Sequence, residues 1–162
     1  MRILALAAVI CLVASVGGCA APSIPLDVPI TLVPKGTVEQ TIKIEGKEKY
    51  EVALVFSRDG IPYERLKELI GAMGLCKIGE ACSKGIIVPI RWSLRRAETG
   101  EVAASVEMES FESHGWSAAD VYRRVGSFSV DRGSYLLRFE VLRDVPELST
   151  LRTRILIYHP SK

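Results

Sequence analysis

Histidine is almost absent from this chain of 162 residues, occurring only as His114 and His159. Neither lies in a recognisable nucleophile or metal motif, and no Gly-x-Ser-x-Gly elbow is present, so hydrolytic chemistry has few groups to draw on. A Cys-x-x-Cys redox motif is also missing. A large charge of either sign is lacking: 21 basic against 19 acidic residues give a formal net charge of +2, which removes the electrostatic case for nucleic acid. No internal repeat, low-complexity tract or second long hydrophobic run follows residue 18. Nothing in the sequence calls for a cofactor.

What is present begins at the N-terminus. Met1 and Arg2 precede an uncharged run from Ile3 to Gly18, the anatomy of a signal peptide. The run is shorter than the roughly 20 apolar residues of a spanning helix, and it closes on Gly-Gly-Cys. The residues Val16-Gly17-Gly18-Cys19 resemble a bacterial lipobox, in which the cysteine is acylated and the signal is cut before it. The resemblance implies a lipid anchor on Cys19 and a domain facing the periplasm. Several acyl chains hold a protein durably where one gives only reversible attachment. Ala20, rather than Asp, stands after the cysteine, which implies outer-membrane delivery.

On that reading Cys11 leaves with the signal and Cys19 carries lipid, so Cys76 and Cys82 remain. In an oxidising compartment these two are expected to form a disulfide that holds a short loop. The alternatives are two reduced buried thiols or a metal site, although no histidine lies nearby. Residues 19–25, with two prolines, read as a lipidated tether, and residues 26–162 as one domain.

Within that domain period-two alternation dominates, the mark of half-buried strands. Candidate strands are Asp27 to Val33, with Pro29 pointing to a sheet edge, then Val38 to Glu45 and Tyr50 to Ser57. Leu66, Leu69, Ile70 and Met73 recur at helical spacing through Tyr63 to Met73 and predict one amphipathic helix stopped by Gly74. Val88 to Leu94 and Val102 to Met108 alternate on either side of Glu98-Thr99-Gly100, predicting a hairpin. Its outer face sets Arg91 and Arg95 against Glu101, Glu107 and Glu109, and cross-strand pairing there is the expected arrangement. Reception of an anionic partner by Arg91, Arg95 and Arg96 is the alternative. From Ser110 to Arg124 alternation fails, and Ser117 to Asp120 predicts a short helix capped by the Ser117 hydroxyl. Strands resume through Val125 to Val130, Tyr135 to Val141 and Leu151 to Tyr158.

About eight short strands with one inserted helix predict an all-β antiparallel sandwich. Asp131-x-Gly133-x-Tyr135-x-Leu137 resembles the tyrosine corner of immunoglobulin-like domains, and Trp92 lies upstream as their core tryptophan does. That resemblance implies an immunoglobulin-like β-sandwich in which the Tyr135 hydroxyl binds back to the chain. The inter-sheet cysteine pair of antibody domains is missing. In overall pattern the chain also resembles an uncharacterised family of small proteobacterial envelope lipoproteins, which supplies no mechanism.

The segment between Ser110 and Arg124 carries the candidate binding residues His114, Trp116, Tyr122, Arg123 and Arg124, of types enriched in interface hot spots. A second reading is that Trp116 and Tyr122 merely cover the open end of the sandwich. A third makes His114 a hydrolytic base with Ser113, Ser117 and Asp120 as neighbours, although triads are usually assembled from distant elements. His159 reads as an exposed strand end. The expected function is a non-enzymatic, lipid-anchored module that binds a periplasmic or envelope protein, of which an immunity lipoprotein against a delivered toxin is one form. The alternatives are an accessory of an envelope complex that uses the edge from Val28 to Val33 for strand addition, and a hydrolase.

Overall fold

The computed structural model describes residues 21–71 and 84–160. Expectations that fall on the signal peptide, on Cys19, and on Cys76 and Cys82 concern residues outside that range. The disulfide is not carried forward, because none is found among the described residues.

Two antiparallel sheets pack face to face. The strands are β1 (Leu26–Pro29), β2 (Thr37–Ile44), β3 (Tyr50–Ser57), β4 (Val88–Arg96), β5 (Val102–Ser110), β6 (Gly115–Trp116), β7 (Asp120–Phe128), β8 (Gly133–Val141) and β9 (Thr153–Tyr158). One sheet has the order β1-β9-β3-β7-β6 and the other β2-β8-β4-β5. Alternation explains the packing: Ile90, Trp92 and Leu94 of β4 and Tyr135, Leu137 and Phe139 of β8 point inward, where they meet Val52, Leu54 and Phe56 of β3 and Ile155 and Ile157 of β9. Burying such side chains contributes roughly 1.5–3 kcal/mol each relative to exposure. β1 lies at a sheet edge, as Pro29 requires, but it ends there. Ile30 and Leu32 continue inward as irregular chain whose backbone is engaged, Ile30 N–H with Thr153 and Leu32 C=O with Val145. The segment to Val33 is therefore not a free strand edge.

Two local features organise the core. The first is Trp92, whose indole N–H donates to the Val125 carbonyl at 2.8 Å. That carbonyl is turned inward by a bulge, because Val52 pairs with Gly126 while Ala53 pairs with Arg124, leaving Val125 as the extra residue. Gly126 has φ +143, and a Cβ there would stand 2.7 Å from the indole. The Tyr135 hydroxyl closes a turn in the neighbouring sheet by donating to the Asp131 carbonyl at 2.7 Å.

The second is Arg123, fully buried at an inward position of β7. Helix α1 (Tyr63–Ile70) sets Leu66, Leu69 and Ile70 into one end of the sandwich. It ends before Met73 because Gly71 adopts φ +94. The last carbonyls of a helix lack intrahelical donors and carry partial negative charge. The guanidinium supplies the donors: Nη2 reaches Ile70 O at 2.8 Å and Leu69 O at 3.3 Å, and Nε reaches Ile70 O at 3.2 Å. Nη1 donates to Ile86 O at 2.8 Å and Ser110 O at 3.0 Å. Its carbon lies 5.2 Å from the Phe56 ring centroid, a cation–π contact. Burial pushes the guanidinium down to about 10, which leaves it cationic at neutral pH. Gly85, at φ +67, admits this arrangement, since a Cβ would come within 2.8 Å of Nη2 and 2.4 Å of Gly71 N.

The stretch before β7 corrects the sequence reading. Ser117 caps no helix; its hydroxyl accepts from the N–H groups of Ala119 at 3.2 Å and Asp120 at 3.1 Å, closing a turn between β6 and β7. Asp120 to Arg124 is strand, and its alternation is hidden because an arginine occupies an inward position.

Replacing Arg123 by Met would take its donors from the buried carbonyls of Ile70, Ile86 and Ser110, while Leu69 O keeps the Ile86 N–H, and each unsatisfied carbonyl costs about 1–3 kcal/mol. Thermal unfolding is expected to shift downward by roughly 10 °C, with Arg123→Lys recovering only part because an ammonium cannot fork between carbonyls.

Candidate functional site

The outer face of the five-stranded sheet carries the candidate site. Its central strand β3 points the small residues Ala53 and Val55 outward, yet both are fully buried. Their cross-strand neighbours are long: Leu156 and Arg124 beside Ala53, Arg154 and Tyr122 beside Val55. Two polar straps cross over β3. Arg154 of β9 reaches Asp120 of β7 with Nη2 at 2.7 Å and Nη1 at 3.1 Å, and also donates to Ser57 Oγ at 3.0 Å. Glu51 of β3 accepts from the Tyr158 hydroxyl at 2.8 Å and from Arg124 Nη1 at 3.3 Å.

Beside the second strap lies an open cleft of about 540 Å³, lined by Pro25, Glu51, His114, Trp116, Tyr122, Arg124, Leu156 and Tyr158. β6 positions its far wall. Trp116 pairs across from Val121, the His114 N–H donates to the Tyr122 carbonyl at 2.7 Å, and the Trp116 ring stands half-exposed at the rim. Of the residues proposed from sequence, His114, Trp116, Tyr122 and Arg124 meet in this cleft. Arg123 does not; its side chain points to the opposite face and is spent inside the fold. Pro25, Glu51, Leu156 and Tyr158 were missed, because they come from distant strands whose register no local pattern reveals. Their one visible signal is parity: Glu51, Leu156 and Tyr158 sit at outward positions of otherwise apolar strands.

The chemistry offered is that of contact. Arg124 is half-exposed and engages Glu51 through one nitrogen, leaving further donors toward the cleft. Both Asp120 oxygens accept from Arg154, so Asp120 serves the strap and not His114. Among the described residues no group of three or more metal-binding side chains converges. His159 pairs through Nδ1 with Glu48 at 2.9 Å and lies against Tyr50. On the other sheet Arg91 pairs with Glu107 at 2.7 Å, and Arg96 lies 3.8 Å from Asp131. A second hollow, of about 440 Å³, lies between Pro29 to Val33 and Leu148 to Thr153, lined largely by apolar side chains.

These features define a two-sheet β-sandwich with a cleft on one outer face. The chain belongs to the family described as a domain of unknown function, DUF5625, whose model matches residues 27–159. It is similar in fold to a crystal structure of a protein from Sulfurospirillum deleyianum, with 19% identity and a TM-score of 0.63, covering 85% of this chain and 98% of that one. No curated protein matches the sequence.

The Tyr158 phenol is pushed up to about 12, first by burial and then by its hydrogen bond to Glu51. Because the folded value exceeds the ordinary value of about 10, the contribution is complete below pH 10 and is lost as pH rises toward 12. Tyr50 is raised as well, chiefly by burial. Spectrophotometric titration should therefore show late-ionising phenols among the five tyrosines. In Tyr158→Phe the loss of stability between pH 10 and 12 should be smaller.

Proposed function

We propose that this protein is a lipid-anchored, periplasm-facing module that binds another envelope protein through the cleft around Trp116, without a catalytic step. The observation that carries the reading is the convergence of Trp116, Tyr122, Tyr158 and Arg124 on one concave surface. Rigid aromatic and arginine side chains in a partly desolvated hollow are the usual anchors of protein interfaces. The straps support the same reading, since Glu51 and Asp120 are already engaged and the floor is set before any partner arrives. Pro25 forms part of the cleft wall and lies close after Cys19, so an acylated Cys19 would hold this face near a membrane.

The finer architecture we read as immunoglobulin-like with its terminal strands exchanged. Support comes from the Tyr135 to Asp131 hydrogen bond, the buried Trp92, and the division of β3 and β7 in one sheet from β4 and β8 in the other. The departure lies at the ends: β2 sits beside β8, where the last strand of such domains belongs, and β9 sits beside β3, where the first belongs.

A photo-crosslinker at Tyr122 in the full-length protein should capture a defined envelope protein. Trp116→Ala should weaken that complex about tenfold or more while leaving thermal stability nearly unchanged. Capture that ignores Trp116→Ala and Arg124→Ala would remove the cleft from the interface, and turnover of a substrate lost in His114→Ala would replace binding with catalysis.

A further inference from the structure

We propose that β5 is the edge through which two copies of this chain pair, antiparallel about a two-fold axis at Val106, joining their four-stranded sheets into one. A free strand edge presents unpaired N–H and C=O groups, and proteins blunt such edges by shortness, proline or cover. Among the described residues, two of the four edges are blunted outright and a third is covered at one end. β1 spans four residues and ends on Pro29, and β6 has two residues. β2 is crossed by the N-terminal segment, where Lys43 N–H donates to Pro22 O at 3.1 Å and Ser23 bridges to Lys43.

β5 has neither shortness, proline nor cover, and its one bulge, at Ala103, lies near its start. It is nine residues long, contains no proline and pairs with β4 alone. Among the described residues its free side finds no backbone partner, and only the Ser110 carbonyl, at its end, is engaged by Arg123. Its inward residues Ala104, Val106 and Met108 are only partly buried against the core, so an added strand would extend that core. Its outward residues Ala103, Ser105, Glu107 and Glu109 are exposed.

The sequence selects the occupant and the register. In an antiparallel pair, opposed residues point to the same face, so each two-fold register is centred on a residue. A bulge at Ala103, where Leu94 pairs with Ala104 but Arg95 with Val102, leaves β5 regular from Ala104 to Ser110, so centring on Ala104 or Ser105 pairs three of its regular residues at most. Centring on Glu107 opposes that residue to itself, and on Met108 sets Glu107 against Glu109. Of the registers that pair five or more regular residues of β5, only the one centred on Val106 avoids facing carboxylates. It places Glu107 opposite Ser105 and Met108 opposite Ala104, a large residue against a small one, across the regular part of the strand. Arg91 within each copy already pairs with Glu107 at 2.7 Å, which removes the remaining repulsion along the row.

The test is sedimentation velocity of the full-length protein in detergent, up to millimolar concentration, with Ser105→Glu and Ser105→Lys. Ser105 is exposed, and circular dichroism checks that both variants keep the fold. Glutamate at 105 would face Glu107 of the second copy twice per dimer and should weaken association about tenfold, while lysine should strengthen it by a similar factor. Hydrogen exchange should show amides of β5 gaining protection as the dimer forms. A chain that stays monomeric, a dimer indifferent to both substitutions, or β5 protection that arises only with a protein of another sequence would overturn the proposal.

Discussion

The structure depends on one buried cation. Among the described residues Arg123 has no carboxylate partner; its charge is met by carbonyls at the end of α1, before β4 and at the end of β5. An isolated charge in a core would be prohibitive, and what makes this one tolerable is the ring of carbonyls it meets, of which only Leu69 O is also shown accepting from a loop N–H, that of Ile86. The arrangement joins α1 and β7 to the β4–β5 hairpin, a connection no sheet ladder makes. α1 is tied to the chain before β4 by the Ile86 to Leu69 hydrogen bond as well as by the shared guanidinium. Gly71 and Gly85 then follow as requirements of close approach.

The outer face of β7 serves a different end from the inner one. Arg123 and Arg124 are adjacent in sequence and project to opposite sides of the sheet, one into the core and one to the cleft. The bulge at Val125 comes after both arginines and shifts the parity of β7, so that Phe128 returns inward beyond it. Trp92 reads the same bulge from the opposing sheet. The core and the candidate site are thus set by the same few residues of one strand.

Much of the fold was legible. Strands β3, β4, β5, β8 and β9 follow from alternation, the helix from its 3.6-residue stripe, and the corner at Asp131 to Tyr135 from a local motif. The errors have a common cause. Around Ser117 a polar turn resembles a helix cap, and Arg123 at an inward position breaks the period that would have extended β7 back to Asp120. A charged residue in a core becomes intelligible only when its carbonyl partners, up to 54 residues distant in sequence, are known. The cleft was half legible for a related reason. His114, Trp116, Tyr122 and Arg124 are near one another in sequence, whereas Glu51 and Tyr158 join them through pairings among β3, β7 and β9.

The hydrogen bond from Lys43 to Pro22 bears on how an anchored domain would move. Residues 19–25 read from sequence as slack, yet the chain is already fastened to β2 at Pro22 and reaches the other sheet at Leu26. On the proposed attachment at Cys19, about three residues would separate the lipid from Pro22, a span of at most roughly 10 Å. A tether of that length would limit how far the domain could stand from the bilayer. The domain would ride against the bilayer, with its cleft meeting neighbours that diffuse in the plane of the membrane more readily than molecules arriving from the bulk.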